Sequence, residues 1–182
     1  WRIDQEQLVP DPASRHNPDG PHGPSRVVDA TRFEWDAAWK GRPWPETVLY
    51  ELHVGTFTPE GTLAAAAARL QPLADAGVTA VGLMPVASFA GRFGWGYDGV
   101  LPYAPHDAYG TPDDLKRFVQ QAHRLGLMVF LDVVYNHFGP DGNYLHAYAP
   151  TFFSQTKSSP WGVAINFDGP GSAGVREFFI HN

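Results

Sequence analysis

The sequence predicts an α/β protein built on a parallel sheet. Three observations carry this. Near-continuous apolar runs recur at Val48–Val54, Val78–Met84 and Leu127–Val134, as expected of strands buried on both faces. Segments with helical spacing separate them. The two long connections, 85–110 and 135 to about 170, both follow strands, while the returns from helices are short. The order βαβαβ fits a barrel or a doubly wound sheet, and in both the site lies at the C-terminal ends of the strands.

The elements follow in order. Residues 1–9 read as the end of a strand. Residues 10–26 are rich in Pro, Gly and polar groups and read as a linker or extended crossing. Residues 27–46 hold Phe33, Trp35, Trp39 and Trp44 with little periodicity, which suits a strap packed by its aromatics. The first apolar strand is 48–54. Gly61-Thr62 opens a helix whose buried stripe is Leu63, Ala66, Ala67 and Leu70. Pro72 interrupts it and opens a short second turn that ends at Gly77. The second strand is 78–84. Thr111-Pro-Asp-Asp-Leu115 is a helix start: Thr111 caps, Pro112 suits the first position, and two acids meet the positive end of the dipole. Leu115, Phe118, Val119 and Ala122 form its buried stripe, and Gly126 stops it. The third strand, 127–134, carries Asp132 inside an apolar run. Gly171-Ser172 begins a further helix.

The composition bounds the function. Of 182 residues, 43% are hydrophobic and 18% charged, which is globular rather than disordered. A net charge of −6 with no Lys/Arg stripe argues against nucleic acid. No apolar stretch is long enough for a membrane span. There is no Cys, which removes disulfide and thiolate chemistry and is compatible with the cytoplasm, the expected location. Trp1-Arg-Ile-Asp-Gln-Glu6 is not a signal peptide and starts without Met. A closed barrel needs eight strands and about 250 residues, so the chain is expected to be part of a longer protein.

The candidate site residues lie in the two long loops. A charge in an apolar strand is costly unless it is paired or hydrogen-bonded. Asp132 therefore reads as a carboxylate that binds a ligand or orients neighbours, the bland alternative being a structural acid. Asn136 and His137 follow it at once. One His near one Asp is too few ligands for a transition metal, and neither a metal nor a cofactor is expected. In Trp95-Gly-Tyr-Asp98, glycines at 94, 96 and 99 hold Trp95 and Tyr97, which suits stacking on a flat apolar face such as a pyranose ring. A tight turn with a packed aromatic is the plainer alternative. Glu51 reads as a structural ion-pair partner inside the sheet. Asp107, Asp113, Asp114 and Lys116 read as capping and solvated charges.

At these residues the chain resembles a known family. Asp132-Val-Val-Tyr-Asn-His137 is similar to the first signature region of the alpha-amylase superfamily of glycoside hydrolases. Tyr97, Tyr109-Gly-Thr111 and Asp113-Asp-Leu115 resemble its second-strand loop and second helix. Four longer phrases, Tyr50–Gly61, Trp95–Val100, Asn136–Tyr144 and Pro160–Gly169, are most similar to the maltooligosyltrehalose trehalohydrolase group within it. The resemblance implies a partial (β/α)8 TIM barrel over 47–182: three β/α units and the start of a further helix. Residues 1–9 would then be the last strand of a β-sandwich domain, with 10–46 as linker and strap. It implies retaining hydrolysis of the α-1,4 bond that joins a terminal trehalose to a maltooligosaccharide, the substrate partner. The nucleophile, acid and helper carboxylates of the family follow later strands, so no catalytic residue is expected in 1–182. What carries over is substrate holding. Tyr97 would stack on the reacting sugar, His137 would hydrogen-bond its hydroxyl, and Asp132 would hold the network. Trp95, Asp98 and Asn136 complete the substrate-binding set. Two alternatives stand beside this reading: part of a glucan branching or debranching enzyme, and a non-catalytic maltooligosaccharide-binding module.

Overall fold

The computed structural model describes residues 1–4, 6–36 and 39–182. Within 1–9, expected as the end of a strand, two short strands occur instead: β1 (Arg2–Ile3) pairs antiparallel with β2 (Gln7–Leu8). The chain then crosses the surface. It is pinned by Asn17, which is fully buried and accepts a hydrogen bond from Ser25 at 2.8 Å. The aromatic strap is anchored at spaced points rather than along its length. Phe33 and Trp35 meet edge to face at 4.9 Å, Trp39 stacks on His123 at 4.3 Å, and Trp44 meets Phe130 at 6.1 Å. Ala37 and Ala38 of the strap lie outside the described residues.

The sheet begins with β3 (Leu49–Leu52), followed by the single turn α1 (Val54–Phe57). The helices α2 (Leu63–Ala68) and α3 (Leu70–Asp75) then lead to β4 (Ala80–Leu83). Thr62 caps α2 by accepting the Ala65 amide at 3.2 Å, and Gly77 closes α3 with φ +90°. The first long loop contains an antiparallel pair, β5 (Ala87–Ser88) with β6 (Leu101–Pro105). The long helix α4 (Pro112–Arg124) and the strand β7 (Met128–Leu131) complete the sheet. Its order is β3-β4-β7, all parallel, with Leu52, Leu83 and Leu131 in register at the C-terminal ends. The second long loop folds into α5 (Leu145–Tyr148) and a hairpin of β8 (Phe153–Ser159) with β9 (Gly162–Ile165), then ends in α6 (Ser172–Ile180).

Side-chain alternation explains where the cores sit. Leu52, Val81, Leu83 and Val129 face α2 and α4 and join Leu63, Ala66, Phe118 and Ala122 in one cluster. Burying Leu63 and Phe118 completely contributes roughly 2–3 kcal/mol each. A second cluster, built on Val100, Leu101, Phe138, Leu145, Phe153, Ile165, Val175 and Phe179, packs the two long loops together beyond the strand ends. Burial on both faces holds for β4, where all four residues are buried. It does not hold for β3 and β7, which flank it: Leu49 and Phe130 are exposed on the face away from the helices.

The cap of α4 is as the sequence spells it. Thr111 Oγ1 accepts the Asp114 amide at 3.2 Å, and the Asp114 carboxylate accepts the Thr111 amide at 2.9 Å, a reciprocal capping box. Thr111→Ala removes half of it and is expected to cost about 1 kcal/mol, read as a lowered thermal midpoint. Thr111→Ser should keep most of that stability.

Candidate functional site

The two long loops meet because glycine lets their backbones touch. The Gly139 amide donates to the Gly99 carbonyl at 3.1 Å. A Cβ on Gly139 would overlap the Asp98 carbonyl oxygen and lie 2.6 Å from its carbon. Gly96, at φ +93°, runs so close to Pro85 that a Cβ there would lie 2.9 Å from the Pro85 carbonyl carbon. These approaches carry Tyr97 from one loop to Asp132 at the foot of the other.

The Tyr97 hydroxyl donates to Asp132 Oδ2 at 3.1 Å, while the residue remains 42% exposed. The hydroxyl is held above its ordinary pKa, first by this hydrogen bond, then by burial, then by the negative charges of Asp132 and Glu51. It stays a donor throughout the neutral range. Asp132 is not inside the strand, as the apolar run suggested. β7 ends at Leu131 because β4 ends at Leu83, whose carbonyl takes the Asp132 amide at 2.9 Å as the last rung. The carboxylate is exposed at the strand end, so its position rather than burial marks it. It borders a cavity of about 360 Å³. Glu51 is exposed and forms no ion pair among the described residues; its charge acts on Tyr97 instead.

Asn136 and His137 are in contact, Oδ1 to Nδ1 at 3.3 Å. The ring of Trp161 stands 6.3 Å from that of His137, centroid to centroid. Trp95 points elsewhere: it is 77% exposed and lines a separate cavity of about 560 Å³ with His53, Thr56, Glu60, Arg92 and Phe93. Asp98 is exposed and forms no side-chain hydrogen bond among the described residues. The structure therefore joins Tyr97 to Asp132 and Asn136 to His137, and sets Trp95 and Asp98 apart from those pairs.

Two residues outside the expected substrate-binding set brace the first loop. His53 Nε2 lies 2.9 Å from the Gly94 carbonyl and 3.1 Å from the Tyr109 hydroxyl. The His53 and Tyr109 rings are perpendicular at 5.9 Å. His53 carried a signal, as a polar residue in an apolar strand; Tyr109 entered only through the family phrase Tyr109-Gly-Thr111. His106 is fully buried, stacked on Phe89 at 3.7 Å, with Asp107 Oδ1 3.4 Å from Nδ1. Burial, only partly offset by Asp107, lowers its pKa below the ordinary 6.5. The unfolded chain then binds the proton more readily than the folded one. His106's contribution to stability is expected to be whole above about pH 6.5 and to decline as pH falls below that toward the lowered folded-state value. Melting temperatures between about pH 7.5 and 5 should show that slope, and His106→Phe should flatten it.

Among the described residues, no group of three or more His, Cys, Asp and Glu side chains could hold a metal ion. No helix there is long and apolar enough to cross a membrane. Tyr97 offers a partly exposed ring beside the Asp132 carboxylate, and Asn136 an amide beside the His137 imidazole; such groups can pack on a ring and hydrogen-bond its edge.

The family model described as "Alpha amylase, catalytic domain" matches residues 9–161. The malto-oligosyltrehalose trehalohydrolase of Deinococcus radiodurans is 56% identical over 163 residues, covering 89% of this chain and 27% of that protein. The 1,4-alpha-glucan branching enzyme GlgB of Aliivibrio fischeri is 35% identical over 191 residues, covering 94% of the chain and 26% of that protein. A crystal structure from Salmonella typhimurium, of a protein described as alpha amylase, superposes with a TM-score of 0.94 at 53% identity, over 98% of this chain and 30% of that one. The chain thus spans about 30% of the length of the proteins it matches. With a family model over most of its length and a three-stranded parallel sheet, the chain belongs to the alpha-amylase catalytic-domain family of glycoside hydrolases and forms part of a TIM barrel.

Proposed function

We propose that this chain is the substrate-holding part of an enzyme that releases trehalose from maltooligosyltrehalose by cleaving the α-1,4 bond next to it. The observation that carries the site is the Tyr97–Asp132 hydrogen bond, made across two loops with the tyrosine left partly exposed. The ring packs the apolar face of a glucosyl unit. Asp132 and His137 accept and donate to its hydroxyls, and Asn136 supports His137. The choice of substrate rests on likeness: 56% identity to a trehalohydrolase against 35% to a branching enzyme.

The reaction is assigned to the retaining class, in which one carboxylate attacks the anomeric carbon and a carboxylic acid protonates the leaving oxygen. Both groups are assigned to residues outside 1–182. Asp132 is already engaged by Tyr97, and Glu51 belongs to the sheet. The role of this segment is to fix the sugar ring so that remote binding energy lowers the barrier at the bond. The test is to incubate the enzyme carrying this segment with maltooligosyltrehalose and, separately, with linear α-glucan. Free trehalose as the first product supports the proposal. New α-1,6 branches without trehalose would assign it to the branching enzymes, and saturable binding without any product to a binding module.

A further inference from the structure

Leu52, Leu83 and Leu131 are level across the sheet, so His53 and Asp132 leave the two outer strands at the same height. Both reach the first long loop. Asp132 accepts from the Tyr97 hydroxyl, and on the other side His53 Nε2 lies 2.9 Å from the Gly94 carbonyl. Between these points Gly96 is buried against Pro85, which follows β4. Each of the three strands therefore holds one point of the segment 94–97.

The His53 contact selects one proton arrangement. A carbonyl only accepts, so Nε2 carries the hydrogen; the other tautomer would set two lone pairs against each other at 2.9 Å. Nδ1 is then an acceptor, and Thr56 Oγ1 faces it at 3.2 Å as the donor. The Tyr109 hydroxyl lies 3.4 Å from the same Gly94 carbonyl and adds a second, longer hydrogen bond. Burial raises the pKa of Tyr109 and keeps its proton in place. Gly55 leaves room for both rings, since a Cβ there would come within 3.0 Å of each. The other side of Gly94 is closed, because a Cβ would meet the Phe89 ring at 2.8 Å. The Gly94 peptide is thus gripped at its oxygen and at its Cα. His53 and Tyr109 line a different cavity from the one that Asp132 borders.

We propose that His53, assisted by Tyr109, is a positioning residue for the sugar site: by holding the Gly94 carbonyl it fixes where Tyr97 stands over the end of β7. It acts through Tyr97 and not through the substrate. This rests on the proposed function and adds to it the group that aims its aromatic. Without the grip at Gly94, the segment keeps only its contact at Gly96, and Tyr97 swings out of line with Asp132.

The test is steady-state kinetics of the full-length enzyme on maltooligosyltrehalose, beside thermal unfolding. The variants are His53→Leu, His53→Gln and Tyr109→Phe, each made in the wild type and in Tyr97→Ala. His53→Leu is expected to lower kcat/KM about 10- to 100-fold in the wild-type background. His53→Gln carries an N–H where Nε2 stood and should recover most of that loss. Tyr109→Phe removes only the longer bond and should cost about threefold. In Tyr97→Ala there is no ring left to aim, so all three should change kcat/KM less than about twofold. Wild-type kcat/KM in His53→Leu overturns the proposal. So does an equal fold-loss in both backgrounds, or no recovery in a folded His53→Gln protein. Should His53→Leu fail to fold, the Tyr109→Phe pair decides by the same comparison. If the wild type releases no trehalose, the proposed function fails instead, and the same cycle read as maltohexaose affinity decides the role of His53.

Discussion

Gly139→Ala is expected to lower kcat/KM of the enzyme at least about 100-fold while leaving it folded. The added methyl has no free volume: it would overlap the Asp98 carbonyl oxygen and crowd its carbon at 2.6 Å. Overpacking of this kind costs about 1–3 kcal/mol, and here the backbone must yield because the obstacle is backbone. The loops then part, the Gly139–Gly99 hydrogen bond is lost, and Tyr97 moves away from Asp132. The barrel core of Leu63, Phe118 and Val81 lies elsewhere, so the circular dichroism spectrum should change little. Steady-state kinetics beside thermal unfolding separates the two effects. A wild-type kcat/KM in a folded Gly139→Ala protein would show that the loop contact does not set the site.

Asp132→Ala carries the second large effect. It removes the acceptor of the Tyr97 hydroxyl and a charge at the end of β7, so both the ring orientation and the hydrogen bonds to a bound sugar are expected to be lost. Hydrogen bonds to a charged group contribute about 1.5–3 kcal/mol each, which places the loss in kcat/KM at roughly 10- to 150-fold per bond. Asp132→Asn keeps the shape and an acceptor oxygen and should lose less. Because the carboxylate is exposed, neither change should alter the melting temperature by more than a few degrees.

The parts of the fold legible in the sequence are those fixed by neighbours in the chain. The α4 cap is a four-residue interaction, so Thr111, Pro112 and Asp114 announce it without any tertiary information. Gly77 and Gly126 close their helices at φ +90° and +72°, where side chains are disfavoured, and the apolar run at Val78–Met84 contains a strand buried throughout, β4. The parts that were not legible depend on partners far along the chain. β7 stops at Leu131 because its neighbour stops, although the sequence run extends past Asp132 to Val133 and Val134. The β8–β9 hairpin lies in a stretch read only as a loop, since a strand that is polar on both faces shows no alternation. For the same reason Trp161 had no visible link to His137, 24 positions earlier in sequence. Glu51 was read as an ion-pair partner because charge in a strand demands compensation; exposure on the open face of the sheet removes that demand.

The central claim is that one glucosyl ring sits against Tyr97 within reach of Asp132 and His137. A crystal of the enzyme, inactivated at its attacking carboxylate and soaked with a maltooligosaccharide, tests it directly. The account predicts a ring packed on Tyr97, with hydroxyls hydrogen-bonded to Asp132 and His137. A well-ordered sugar chain that passes the strand ends without touching these three residues would contradict it.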